Sequence, residues 1–215
     1  MNRLEIAALL KESPKHFAKN SYKNCHAGGV YSIVLASRGD RLQRMFFADS
    51  IHELYKNSPW EASECNVPMS VGFHGHHCDI AITGLMGHIV NWEIENDIQG
   101  RLHLDEYLYS SGILNKNGCF VWTGQERTFR DKARVIITEG GRVEMSAIEL
   151  HTIYVKGGSR AAWLVEEGEP ANRVSYTYSN ADLEKLNFDK LYHTVSESEI
   201  LAIARLLISN DGGAI

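Results

Sequence analysis

Residues 68–87 read PMSVGFHGHHCDIAITGLMG, and they carry the strongest chemical signal in the sequence. Three histidines and an aspartate fall within residues 74–79, between two apolar runs. If this segment is extended, His74 and His76 lie on one face of a strand, because strand side chains alternate with a period of two. Two imidazoles on one face can share a metal ion. The segment therefore predicts a metal site built on a strand.

A third ligand has to come from another part of the chain, and His151 is the best candidate. It lies in GGRVEMSAIELHTIYV, residues 140–155, a run whose β-branched and apolar residues predict strand. We expect residues 68–87 and 140–155 to be neighbouring strands whose imidazoles converge. On this hypothesis the rest of the chain is the scaffold that brings the two segments together.

The composition favours a globular protein that acts on a small molecule. The chain has 215 residues, of which 44% are hydrophobic and 23% are charged, as expected for one sizeable core. Its formal net charge is −5 with no long run of one sign, which argues against binding to nucleic acid or to an anionic membrane surface. The sequence shows neither a membrane span of roughly 20 apolar residues nor the apolar core of a signal peptide. A cytoplasmic location is predicted.

Helices are predicted at both ends of the chain. Residues 3–12 carry apolar side chains at helical spacing, and the proline at position 14 predicts the end of that helix. Residues 196–208 begin with the capping-box sequence SESE and continue at helical spacing. Asp49 is predicted to cap a brief helix over residues 51–55.

The remaining patterns predict mainly β structure. A polar RGDR turn separates residues 29–37 from residues 42–48 and predicts a β-hairpin. Residues 80–95 predict two strands or one bent strand, with breaks at Gly84 and Gly87. Further short strands, at the spacing of a sandwich or barrel, are predicted over residues 102–108, 119–123, 133–138, 142–146, 150–155 and 161–166.

Two predicted boundaries, at 65/66 and 170/171, divide the chain into three parts. Residues 1–65 form an N-terminal helical and hairpin extension packed on the barrel. Residues 66–170 form the barrel itself, and residues 171–215 form a C-terminal helical extension.

The spacing of the histidines resembles the two motifs of the cupin superfamily. His74 and His76 match the HxH pair of the first motif, and Gly87 stands at its glycine position. Gly140 stands eleven residues before His151, which matches the second motif. The resemblance covers about half of the chain and implies a double-stranded β-helix barrel. Many cupins form dimers by exchanging strands, so the resemblance also implies a possible homodimer.

The departures from the cupin motifs are informative about the metal. Ile80 stands at the position of the motif's glutamate, and Ser146 and Ile148 replace the usual proline and glycine of the second motif. A carboxylate-free site of three histidines is similar to the site that the thiol dioxygenase branch of cupins uses for ferrous iron. The resemblance therefore implies Fe(II), with Zn, Ni or Mn as other metals that histidines hold.

A competing choice of ligands starts one residue later. His77 and Asp79 form an HxD pair, which with His151 would make the two-histidine, one-carboxylate triad of non-haem iron oxygenases. Arg160 lies nine residues after His151, where the 2-oxoglutarate-dependent oxygenases tend to place an arginine that grips the cosubstrate. Both families share the double-stranded β-helix, so the fold prediction is the same. Cys78 is a further potential ligand, since thiolates bind zinc and iron.

The leading prediction is a metal-dependent cupin enzyme, a non-haem iron oxygenase that acts on a small polar molecule. Its ligands are His74, His76 and His151. Arg160 or Tyr154 orients the substrate in this prediction. Asp79 supports the site, either by capping a turn or through a hydrogen bond to a ligand histidine.

Two other classes of function remain open from the sequence. One is a non-catalytic cupin that binds a small ligand or has a regulatory role. The other is a metal-free cupin isomerase or epimerase, in which His77 paired with Asp79 would act as the base and Tyr154 as the acid.

Overall fold

A computed structural model describes residues 1–25, 29–39, 41–48, 72–110, 119–155, 160–171, 174–180, 182–183 and 192–209. The helices are α1 (Arg3–Glu12), α2 (Pro14–Lys19) and α3 (Glu197–Ile208). The strands are β1 (Tyr22–Lys23), β2 (Val30–Arg38), β3 (Arg41–Ala48), β4 (Phe73–His74), β5 (Cys78–Met86), β6 (His88–Asn96), β7 (Leu102–Ser110), β8 (Cys119–Thr138), β9 (Arg142–Met145), β10 (Leu150–Tyr154), β11 (Ala161–Pro170), β12 (Ser175–Ser179) and β13 (His193–Thr194). All strand pairs between these elements are antiparallel.

The helices predicted at the two ends are confirmed. Asn2 caps α1 in a capping box with Glu5, and Ser196 caps α3 in the same way with Glu199. The apolar faces of both helices pack on one face of a sheet, against side chains such as that of Met45. The helix predicted over residues 51–55 lies outside the described residues.

A seven-stranded sheet forms one layer of the protein, in the order β13-β1-β2-β3-β11-β5-β9. The predicted hairpin is its β2–β3 pair, which turns at Gly39 with a φ of +62°. Strand β3 of this hairpin pairs along β11, and β11 pairs along β5. The hairpin is thus continuous with the layer that carries the end of the histidine segment.

A second layer closes on itself as a ring in the order β10-β4-β12-β7-β8-β6. Strand β8 runs over 20 residues, because its first half pairs with β7 and its second half with β6. The sequence pattern predicts two separate strands here, over residues 119–123 and 133–138, but the polar residues between them are part of the same strand. The pattern of side chains alone does not reveal that both halves have partners.

The break expected at Gly84 does not occur. Strand β5 continues through Gly84 as far as Met86, and the chain turns at Gly87 with a φ of +65°. A Cβ atom at Gly84 would stand 2.1 Å from the backbone oxygen of Thr138. Position 84 therefore requires glycine because β8 approaches closely there, and not because the strand bends.

The described residues form four apolar clusters. One lies under the helices, one lies between the seven-stranded sheet and the ring, and one lies inside the ring. The fourth and smallest consists of Tyr107, Phe120 and Leu183. Strands from all three predicted parts of the chain enter these two layers, since β2 and β3 precede residue 66 and β12 follows residue 170. The division at 65/66 and 170/171 stays a prediction about folding units.

Candidate metal centre

The three predicted histidines converge. His74 in β4 is the cross-strand partner of His151 in β10, and His76 follows β4 by two residues. The ring centroids lie 4.9 Å apart for His74 and His76, 5.2 Å for His74 and His151, and 5.0 Å for His76 and His151. One ring nitrogen from each histidine lies within 4.8 Å of the other two. We call these three residues the triad.

Hydrogen bonds orient the ring of His151 within the triad. Asn91 is fully buried, and its Oδ1 accepts a hydrogen bond of 2.5 Å from His151 Nδ1. That bond places the proton on Nδ1, so Nε2 of His151 carries the lone pair. His76 Nε2 lies 2.8 Å from this atom. Two imidazole nitrogens at this separation either share one proton or share one cation.

The imidazole ring of His74 is oriented by a backbone carbonyl group. His74 Nδ1 donates to the carbonyl oxygen of Gly72 at 3.3 Å, which leaves Nε2 as the nitrogen that can bind a metal. Burial lowers the pKa of His74, by more than the hydrogen bond to Gly72 raises it. A lowered pKa keeps the ring neutral, which is the form that binds a metal.

A chain of polar contacts continues from the triad toward a loop at residues 146–149. Asn91 Nδ2 donates to Glu93 Oε1 at 2.9 Å, and Glu93 pairs with Lys132 at 3.2 Å. Lys132 contacts Glu149 at 2.5 Å, and Glu149 accepts from the backbone nitrogen of Ser146 at 2.8 Å. The orientation of His151 is thus connected to the position of this loop.

The same loop contacts His76 through Ala147. The backbone nitrogen of His76 donates to the carbonyl oxygen of Ala147 at 3.0 Å. The backbone nitrogen of Ala147 in turn donates to Asp79 Oδ1 at 2.8 Å. Asp79 therefore supports the site by holding the loop, and the hydrogen bond predicted between Asp79 and a ligand histidine is not formed among the described residues.

The alternative ligand set is not brought together in the described part of the chain. His77 is exposed and groups with Cys78 and Glu167 rather than with Asp79 and His151. This second group has its potential ligand atoms within 4.8 Å of one another. Burial raises the pKa of the Cys78 thiol to about 11, and the nearby Glu167 carboxylate contributes to the same rise.

The roles predicted for Arg160 and Tyr154 in orienting a substrate stay predictions, and the structure places the backbone of Arg160 far along β6 from His151. The backbone of Arg160 lies against Gly87, and Glu93, the partner of His151, is about six residues further along β6. At about 3.3 Å per residue, roughly 20 Å of strand separates them. The ring of Tyr154 packs inside the ring of strands, 6.3 Å from that of Trp92. The roles predicted for His77, Asp79 and Tyr154 in a metal-free isomerase likewise stay predictions.

An open cleft of ≈ 410 Å³ lies beside His76. Its walls combine apolar and aromatic side chains with a few polar groups: Gly75, His76, Asn96, Ala147, Ile148, Leu150, Val174, Ser175, Tyr176 and Tyr178. A volume in this range accommodates a small organic molecule. The cleft thus joins the triad to the loop at residues 146–149, which forms one of its sides.

Sequence reasoning missed Asn91, Glu93 and Glu167. Asn91 and Glu93 alternate with apolar residues in NWEIE, although the whole strand is buried except at its ends. Polar residues at every second position of a buried strand were the available signal, since a buried polar group needs a partner. No local signal points to Glu167, because its position beside Cys78 depends on the pairing of β5 with β11.

No family model and no curated protein matches the sequence. Among solved structures, a cupin superfamily protein from Desulfitobacterium hafniense is 13% identical, with a TM-score of 0.34 over 66% of this chain and 78% of that chain. Hydroquinone 1,2-dioxygenase from Sphingomonas sp. TTNP3, with 4-hydroxybenzoate bound, is 11% identical, with a TM-score of 0.37 over 64% and 65%. Hydroxypropylphosphonic acid epoxidase from S. wedmorenis is 8% identical, with a TM-score of 0.39 over 70% and 56%. The chain spans less than two thirds of the length of these two enzymes.

The predicted β-rich architecture with helices at both ends is confirmed. Antiparallel strands in two layers, with helices at both ends, bring the two histidine motifs side by side as a double-stranded β-helix requires. Gly87 and Gly140, the two motif glycines, both adopt positive φ at turns. Among the described residues, no helix has the length and apolar character needed to cross a bilayer.

Proposed function

We propose that the protein is a metal-dependent cupin enzyme, a non-haem iron oxygenase that acts on a small molecule. Its metal ligands are His74, His76 and His151. The observation that carries the proposal is the convergence of three imidazoles, with His76 Nε2 and His151 Nε2 only 2.8 Å apart. The alternative set of His77, Asp79 and His151 has no comparable support.

The residues of the triad fit a divalent metal. Metal–nitrogen bonds of about 2.1 Å at right angles put the two nitrogens about 3.0 Å apart, close to the observed separation. The Nδ1 atoms of His74 and His151 both donate to protein oxygens, so Nε2 is the coordinating nitrogen of each ring. Fe(II) bound here would supply the one-electron chemistry that a reaction with dioxygen requires, and Zn, Ni or Mn would suit the same nitrogens.

The protein's own residues would position the ligands and the substrate. Asn91 holds His151 in one tautomer, and Gly72 does the same for His74. The cleft beside His76 would bind the substrate, with Leu150 and Tyr178 in contact with its apolar part and Asn96 available for a polar group. Because Arg160 lies far from the triad, we assign it no role in this reaction.

Metal analysis of protein purified without a histidine tag tests the proposal. We expect close to one metal per chain in the triad, and its loss when both His74 and His151 are replaced by alanine. Reconstitution with Fe(II) under nitrogen, followed by oxygen-uptake measurements with a panel of small phenols, thiols and hydroxy acids, then tests oxygenase activity. A metal content that the double variant leaves unchanged would contradict the proposal. Metal binding without oxygen uptake would favour the non-catalytic, ligand-binding class.

A further inference from the structure

A second set of potential metal ligands begins with His77, the residue that follows His76 in the chain. Ligand atoms of His77, Cys78 and Glu167 all lie within 4.8 Å of one another. We propose that these residues form a separate cation site, selective for a divalent ion that binds thiolate, such as Zn²⁺. The proposal does not depend on the function proposed for the triad.

The pairing of two strands builds this second site. Cys78 begins β5, and Glu167 lies in β11, where it is the cross-strand partner of Ile80. The register shifts between Glu167 and Pro170, so that Pro170 pairs with Cys78. The carbonyl oxygen of His77 accepts a hydrogen bond of 2.7 Å from the backbone nitrogen of Ala171. The backbone of all three potential ligands is therefore fixed by the sheet.

The carboxylate of Glu167 is held in place by two groups. Its Oε2 accepts a hydrogen bond of 3.0 Å from the backbone nitrogen of Leu42, and its Oε1 lies 3.6 Å from Arg44 Nε. A hydrogen-bonded carboxylate is a well-oriented metal ligand, since its remaining lone pairs have fixed directions. The Arg44 guanidinium competes with any cation for the same oxygen, which gives the proposal a sensitive test.

The chemistry of the three groups favours zinc. Imidazole, thiolate and carboxylate are its three protein ligand types, and three such ligands leave a fourth tetrahedral position open. Metal–ligand bonds of about 2.0–2.3 Å place tetrahedral ligand atoms roughly 3.5 Å apart. Because the ligand atoms all lie within 4.8 Å of one another, each pair would need to close by at most about 1.3 Å. The Cys78 side chain is buried at the edge of the core between the layers, whereas His77 is exposed and provides access from solvent.

The two sets of ligands are separate because His76 and His77 contact different segments. The backbone of His76 is bonded to Ala147, whereas the backbone of His77 is bonded to Ala171. The triad offers only imidazole nitrogens, whereas the second site includes a sulfur atom. A thiolate raises the preference for zinc over metals that favour hard ligands, such as manganese. The two sites should therefore differ both in metal preference and in spectroscopic signature.

Titration of the full-length protein with Co²⁺ tests the proposal, because a cobalt–thiolate bond gives a charge-transfer band in the near ultraviolet that cobalt–imidazole bonds lack. We expect the band in the unmodified protein and in His151→Ala. We expect its loss in Cys78→Ser and in His77→Gln. Because the His77 side chain is exposed, His77→Gln should not unfold the protein, so loss of the band in that variant would reflect loss of a ligand. Glu167→Gln should weaken Co²⁺ binding at this site by at least about tenfold, and Arg44→Gln should strengthen it several-fold.

Three results would overturn the proposal. They are a missing band in the unmodified protein, a band that survives both Cys78→Ser and His77→Gln, and a band that is lost in His151→Ala. The first would show that no thiolate coordinates the cation, and the second that another cysteine does. The third would show that the cation bound by Cys78 belongs to the triad. The first two results leave the metal binding of the triad untouched, whereas the third would make Cys78 part of a single metal site with the triad.

Discussion

Two neighbouring histidines, His76 and His77, enter two potential metal sites that are built in different ways. The triad consists of three imidazoles, and the ring of His151 is oriented by a buried amide, that of Asn91. The second site combines imidazole, thiol and carboxylate, and its carboxylate is oriented by a backbone nitrogen and an arginine. Adjacent histidines can thus belong to ligand sets of different hardness when their backbones bond to different segments. Variants that disturb one site at a time test whether the two are independent.

The largest effect is expected from His151→Ala. This change removes one of three ligands from the triad and leaves every member of the second site in place. The affinity of the triad for a divalent metal should fall by more than about 100-fold, beyond the effect of changes outside the ligand set. Competition with a fluorescent chelator measures that affinity. An unchanged affinity would show that the metal is held elsewhere, and the cobalt–thiolate band of the second site serves as the internal control.

A smaller effect is expected from replacing Asn91 by leucine, which is similar in size but accepts no hydrogen bond. The ring of His151 would lose the acceptor that fixes its tautomer. We expect the triad's affinity to fall by about 10–100-fold, the usual range for a partner of a metal ligand. Asn91→Asp combined with Glu93→Gln keeps an acceptor oxygen for His151 without placing two carboxylates side by side, and it should restore most of the affinity. If this double variant were as weak as Asn91→Leu, the effect would come from packing rather than from the hydrogen bond.

Replacing Gly72 by alanine tests whether the backbone beside His74 has to approach β12 closely. It has a φ of +81°, and a Cβ atom at this position would stand 2.4 Å from the carbonyl oxygen of Tyr178. Gly140 has a similar φ of +79°, and a Cβ atom added there would meet nothing within 4 Å, so Gly140→Ala is the matched control. Both variants carry the cost of a positive φ, about 1–2 kcal/mol. Gly72→Ala should lose about 1–3 kcal/mol more because of the clash.

Thermal melting and chelator competition measure the two consequences of Gly72→Ala. Because Gly72 provides the acceptor for His74 Nδ1, its displacement should also weaken metal binding at the triad, whereas Gly140→Ala should not. The second site should be unaffected by either variant. Equal melting temperatures for the two variants would show that β12 yields readily to the added methyl group.

The features that depend on local pattern could be predicted from the sequence. The pair His74 and His76, its partner His151, and the helices with capping boxes follow from alternation, motif spacing and helical periodicity. Strand β12 was missed because its sequence, SYTYS, mixes polar and aromatic residues, and its partners β4 and β7 are distant in the chain. The proximity of Cys78 and Glu167 was missed for the same reason. Pairing between distant strands depends on the register of the whole sheet.

The smallest effect is expected from a change at Glu199, which contributes to the stability of the fold in acid. It also serves as a control for the pH dependence of metal binding. Burial by itself would raise the pKa of Glu199, but hydrogen bonds from Lys23 and Ser196 outweigh it and bring the pKa to about 2, from a usual 4.5. A folded pKa below the unfolded one stabilises the fold above about pH 4.5, and this stabilisation is lost as the pH falls toward 2. Glu199→Gln keeps the capping geometry of α3 and removes the charge.

We therefore expect Glu199→Gln to lower the melting temperature slightly at pH 7 and to flatten its decline between about pH 4.5 and pH 2. Melting curves across this range measure both quantities, and an unchanged slope would assign the acid sensitivity to another group. The result also defines the pH range in which loss of metal can be attributed to protonation of the ligands rather than to acid unfolding. If metal leaves the triad above about pH 5 while the melting temperature of the metal-free protein is constant, release reflects protonation of the histidines, because the contribution of Glu199 is still intact there.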